Sequence, residues 1–196
     1  MMNTFKSFLY LAMAGTMFFG GMVATGCAAS NDHAMEEKTM AKAPPAFNDL
    51  EIAHIAYTAG AIDIRYAHLA LALAEDPEVL KFAELMVRDH TAVNKKALAL
   101  VKKLDITPQD NGMSQQLLKG AADIRKELSQ LDGPAFAKRY AANELGYHKA
   151  VNQAVEKTLI PTAQNAELKA LLTGALQTFK VHQEHAVVMN EKMQQS

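Results

Sequence analysis

The chain has no tryptophan, one cysteine and only 10 glycines among 196 residues. A single thiol, Cys27, excludes a disulfide within the chain. Scarce glycine beside abundant Ala, Leu, Met and Lys is the composition of helices, not of a β-sandwich. There is no excess of charge either. The 20 basic and 21 acidic residues leave a net −1, and no dense basic run occurs. A nucleic-acid partner is therefore not expected, because phosphate binding needs Lys and Arg in surplus on one face. The sequence also lacks a Gly-x-Ser-x-Gly motif and a phosphate-cradling Gly-rich loop, which removes two common catalytic scaffolds. What is present is apolar content of 49%. That is enough to build a core and argues against wholesale disorder.

The apolar stretch from Phe8 to Gly26 carries no charge and follows Lys6. A positive start and a short apolar run form a secretory signal peptide. A membrane-spanning helix is the rival reading. The run is near the lower length limit for that, and Gly15, Gly20, Gly21 and Gly26 interrupt it. Ala24-Thr25-Gly26-Cys27 resembles a bacterial lipobox, in which small residues precede a cysteine that is lipidated and becomes the new N-terminus. Several acyl chains on Cys27 would then give stable membrane anchoring. Ala28 rather than Asp after the cysteine points to the outer membrane, facing the periplasm; secretion follows if the lipobox is not used. The expected organisation is a lipoprotein signal over 1–26, a flexible tether over 27–46 and a helical domain over 47–196. The tether is polar at Ser30-Asn31-Asp32-His33 and closes on Pro44-Pro45.

Beyond Phe47 the periodicity is helical throughout. Asn48 with Glu51 three residues on has the form of a capping box, and Phe47 can staple onto Ile52. Ile52, Ile55, Ala59, Ile62, Tyr66, Leu69 and Leu73 then recur at spacings of three and four, which predicts a first helix over about 49–74. Asp76-Pro77 opens a second, with Val79, Phe82, Met86, His90, Val93, Ala97, Leu100 and Leu104 on one face, ending near Asp105. A shorter helix is expected over about 114–131. A further long one runs from Pro134 to about Thr158, along Ala137, Ala141, Glu144, His148, Val151 and Val155. Pro161 should mark a turn, and the last helix should start between Thr162 and Asn165. Four long helices and one short one imply an all-α four-helix bundle, with the short helix in the crossover.

The last helix has its own stripe along Leu168, Leu171, Ala175, Phe179, His182, Ala186, Met189 and Met193, so three stripes carry a histidine where an apolar residue belongs: His90, His148 and His182. Glu144 lies one turn before His148 on the same face. His185 can neighbour His182. Asp63 borders the first stripe on a line of small residues with Ala56, Ala67, Ala70 and Ala74. Each has an ordinary explanation: a core histidine with a hydrogen bond, a salt-bridge partner at Glu144, a solvated Asp63 beside Arg65. Asp89, next to Arg88, reads as a surface residue, and His54 and His68 lie off the stripe and should be exposed. Jointly they suggest more, because unpaired buried polar groups cost about 1–3 kcal/mol each. Facing helices of a bundle are a common place for metal sites, and histidine with carboxylate suits iron, manganese, zinc or copper. At about 1.5 Å per residue, Asp63 and His90 sit at similar heights from the turn between their helices. Glu144 and His182 come out about 6 Å apart in height on the expected boundaries. Carboxylate-bridged di-iron bundles want Glu-x-x-His on two helices, whereas here Glu144 and His148 are four apart and Asp89 and His90 are adjacent, so a standard ferritin-type centre is not expected.

The segments Glu84 to His90, Tyr140 to His148 and Thr178 to Ala186 resemble the family called domain of unknown function 4142. The adjacent Asp89-His90, with His148 and Glu184-His185, carries the likeness. The resemblance implies a ferritin-like helical fold in an exported or outer-membrane protein, and it favours His185 over His182 as the family-like position. Three functions compete. The first is a metal-binding bundle using some of Asp63, His90, Glu144, His148, His182 and His185, with a transition-metal ion as cofactor. The second is a non-catalytic envelope lipoprotein with a structural or protein-binding role, anchored to the membrane through Cys27. The third is a metal oxidase, suggested only by Tyr140 and Tyr147 near Glu144 and His148.

Overall fold

The computed structural model describes residues 47–195. The expected signal, Cys27, His33 and the tether lie outside the described residues. Within them the chain is all-helical: α1 (Asp49–Leu73), α2 (Pro77–Lys103), α3 (Gly112–Leu128), α4 (Gly133–Ala154), a π-helical turn (Val155–Leu159), the short α5 (Ile160–Thr162) and α6 (Ala166–Gln195). No described helix is long and apolar enough to cross a membrane.

The starts follow from local chemistry. Asn48 accepts from the backbone N–H of Leu50 and Glu51, and the Glu51 carboxylate accepts from Asn48 N–H, completing the capping box. Asp76 caps α2 ahead of Pro77. Asn111 accepts from Ser114 N–H at the start of α3. Asn165 accepts from Glu167 and Leu168 N–H at the start of α6, one residue past the expected range. The Asp49 carboxylate also accepts from Gln164 and Asn165 N–H, both at 2.8 Å. This ties the N-terminal ends of α1 and α6 together.

The turn expected at Pro161 is not there. The helix runs on through Val155–Leu159 as a π-turn, with Ile160 N–H bonded to Val155 C=O, and Pro161 is carried within α5. A π-turn already departs from the i→i−4 ladder that a proline interrupts, so the ring is accommodated. The chain reverses only at Ala163–Asn165.

α1 packs against α2, α4 against α6, and α2 against α6, while α3 lies on α1. Buried apolar residues form two clusters. One gathers Ile62, Tyr66, Phe82, Met86, Phe136, Tyr140 and Met189 among others. The other gathers Ile52, Ile55, Val155, Leu159, Leu168, Leu172 and Leu176. Along α1, along α4 with the π-helical turn that continues it, and along α6, these occupy opposite halves. Asp63, Glu144, His148 and His182 lie near where one cluster gives way to the other.

Candidate metal centre

Asp63 of α1, His90 of α2, Glu144 and His148 of α4, and His182 of α6 are all buried, with at most 3% exposure. The three imidazoles form a near-equilateral triangle. Their ring centroids are 5.8 Å apart for His90–His148, 5.4 Å for His90–His182 and 5.7 Å for His148–His182. One ring nitrogen from each lies within 4.8 Å of the other two. Asp63, Glu144 and His148 likewise bring one donor atom each within 4.8 Å of one another, so His148 belongs to both groups. Asp63 Oδ2 is 3.2 Å from His90 Nε2 and 3.4 Å from His148 Nε2. These are close approaches with angles unsuited to hydrogen bonding, for neither carboxylate oxygen of Asp63 has a hydrogen-bond partner.

That lack of partners extends across the group. Both oxygens of Glu144, both ring nitrogens of His90, Nε2 of His148 and Nδ1 of His182 are buried without a hydrogen bond. The outward nitrogens of two rings are engaged. His148 Nδ1 is 3.0 Å from the Glu144 carbonyl, and His182 Nε2 is 3.0 Å from Asp89 Oδ2. Since a carbonyl and a carboxylate only accept, each of these nitrogens carries the proton, and the opposite nitrogen of a neutral ring keeps its lone pair. Phe179 stacks on His90 at 4.4 Å and shields it from water.

Burial sets the protonation states. It pushes Asp63 up to about 8, and it pushes Glu144 well above the usual carboxylate range, assisted by the Asp63 charge. It holds His148 at about 4 and His90 well below its ordinary value, the latter also through the charges of His148 and His182. At neutral pH, without a cation, the site is thus a set of neutral acids and neutral imidazoles. A divalent ion would reverse the balance for the carboxyls. Two carboxylates would cancel its charge, and three imidazoles would supply lone pairs. The donor types fit a first-row transition ion.

Six positions were expected to contribute. Asp63, His90, Glu144, His148 and His182 converge, whereas His185 is exposed and belongs to neither group. A spacing of three turns a helical residue through about 300°, enough to carry His185 out of the core that His182 enters. Glu144 and His182 are also closer in height than the expected boundaries implied. Helical structure continues to Thr162, and α6 starts only at Ala166. This brings the two to within about 3 Å in height. Asp63 does not face solvent beside Arg65; it is fully buried. Asp89 is not a plain surface residue, because it receives His182. His54 is half-buried and its Nδ1 lies 2.8 Å from Ser114 Oγ, whereas His68 is exposed as expected. Asp110 completes a Ser–His–Asp grouping with them, yet it approaches the same Nδ1, at 3.8 Å. With both partners on one nitrogen and Ser114 fully buried, this is not a nucleophilic triad.

A search of curated proteins and of solved structures finds no match. A family model described as a domain of unknown function does match, over residues 34–189. That span contains every residue of the buried site, and the chain belongs to this family, DUF4142.

Proposed function

We propose that the protein binds one divalent transition-metal ion at the centre of a ferritin-like four-helix bundle formed by α1, α2, α4 and α6, and that a lipid on Cys27 holds it at the outer membrane, facing the periplasm. The observation that carries the metal reading is the set of buried donor atoms on all four helices with no hydrogen bonds among them. Left as they are, they cost about 1–3 kcal/mol apiece. A coordinated cation would remove that cost for one donor atom of each ligand. His90, His148 and His182 would provide nitrogen, and Asp63 and Glu144 oxygen and negative charge.

Elemental analysis of protein purified without chelator tests this, with His90→Ala and His148→Ala alongside. The expected result is about one metal per chain in the parent and a loss of at least tenfold in either variant, from removing a ligand. Substoichiometric metal in all three after incubation with cobalt, zinc, iron and manganese salts would overturn it. The anchoring reading rests on Lys6, the apolar run and Ala24-Thr25-Gly26-Cys27. Cys27→Ser should move the protein from the membrane to the soluble fraction; unchanged membrane partition would reject lipidation.

A further inference from the structure

Asp89 stands next to His90 in sequence but outside the core. Adjacent helical residues are turned by about 100°, so His90 points inward while Asp89 reaches across towards α6. Its Oδ2 lies 3.0 Å from His182 Nε2. Its position is set by Arg88, which donates from Nε to Oδ1 at 2.7 Å and from Nη2 to Oδ2 at 3.1 Å. His182 is almost fully buried, and its other nitrogen, Nδ1, has no hydrogen bond.

We propose that Asp89 is a positioning residue for the metal site: by accepting the Nε2 proton of His182 it fixes that ring's tautomer and orientation and leaves Nδ1 as the ligating atom. This rests on the metal-binding reading above. A carboxylate acts on a ligating imidazole in two ways. It selects the tautomer, and it makes the ligating nitrogen more basic. The same task at His148 falls to a backbone carbonyl, that of Glu144, one helical turn earlier. His182 has a charged acceptor from another helix instead, so its ring is aimed by a contact between α2 and α6. Asp89 therefore links the surface pair with Arg88 to the buried triangle, although it is not itself among the grouped ligands.

The test compares the full-length parent with Asp89→Ala and Asp89→Asn. The amide oxygen of Asn can still accept the Nε2 proton, so Asn is the conservative variant. Two readouts are needed. Long-range proton–nitrogen NMR on chelated protein reports which nitrogen of His182 is protonated. Titration with cobalt(II), followed by its visible absorption, reports affinity and ligand geometry. In the parent His182 should be protonated at Nε2. Asp89→Ala should lose that single tautomer, weaken cobalt(II) about 10- to 100-fold and shift the absorption bands. Asp89→Asn should keep the tautomer and recover most of the affinity. An Asp89→Ala protein with the parent's tautomer, bands and affinity would overturn the proposal. If the parent itself takes up no cobalt(II), the metal reading falls, and the NMR result alone decides whether Asp89 orients His182.

Discussion

Asp63 shows how burial and charge act against each other at a single residue. With its side chain closed off from water, its carboxyl keeps a proton up to about pH 8. The unfolded chain gives that proton up near the ordinary 3.8. The folded form thus binds more protons in this window, so the Asp63 contribution is complete below the unfolded value and fades as pH rises to about 8. His148 runs the other way. Its contribution is complete above 6.5 and is lost as pH falls toward about 4. Above pH 6.5 the histidine effect is exhausted while the Asp63 effect continues. Chelated protein should therefore unfold at lower urea at pH 8 than at pH 6.5. Asp63→Asn removes the acid with little change of shape. It should make this decline shallower, leaving the share due to the likewise raised Glu144, while weakening cobalt(II) at least tenfold, as expected for a lost ligand. An unchanged pH dependence in Asp63→Asn would show that its carboxyl is not the titrating group. Metal uptake should also release protons from the carboxyls, which calorimetry in buffers of different ionisation enthalpy would count.

At the scale of the helix, α1 departs furthest from a simple amphipathic pattern. Its expected stripe is buried from Ile52 to Tyr66, but Leu69 is only half-buried and Leu73 is 36% exposed. Burial continues instead along Gly60, Asp63, Ala67 and Ala70. These small residues let α2 approach closely. A Cβ on Gly60 would lie 2.4 Å from Asn94 Oδ1, and Asn94 Nδ2 donates to Tyr57 C=O at 3.4 Å. Gly60→Ala should gain about 1 kcal/mol of helix propensity and lose a comparable amount by displacing the Asn94 amide. Made in an Asn94→Ala background, the same change should be stabilising by about 1 kcal/mol, so the two substitutions should couple in a double-mutant cycle. Additivity in urea unfolding would mean that the contact does not constrain the helix pair. Such a second buried face is hard to read from sequence, because alanine and glycine give no periodic signal. Helix starts were legible because each cap is local: Asn48, Asp76 and Pro77 act within one turn. The end of α4 was not, since no local signal marks the π-turn that carries the helix on through Pro161. The same limit explains the site. His90, His148 and His182 stood out as imidazoles in apolar stripes. Asp89 did not, because its partner lies 93 residues away on α6.

For the molecule as a whole, the site occupies the level at which two apolar clusters meet. Each cluster already holds α1, α4 and α6 in part. Ligands from α1, α2, α4 and α6 would add a crosslink where neither cluster is complete. An ion bound only by the folded form stabilises it by about 2.7 kcal/mol at a free concentration 100 times its dissociation constant. For a domain of this size that corresponds to a rise in Tm of roughly 5–11 °C. The gain has a predicted location as well as a size. Amides near Asp63, His90, His148 and His182 should slow their hydrogen exchange on metal addition, and those near Leu128 or Met193 should change little. Chelator should reverse both effects. A Tm that metal leaves unmoved, or protection confined to one helix, would mean that the four helices do not share the ion. The buried acids and imidazoles would then remain a polar layer that sets helix register, with the neutrality of the five groups as the reason the fold tolerates it.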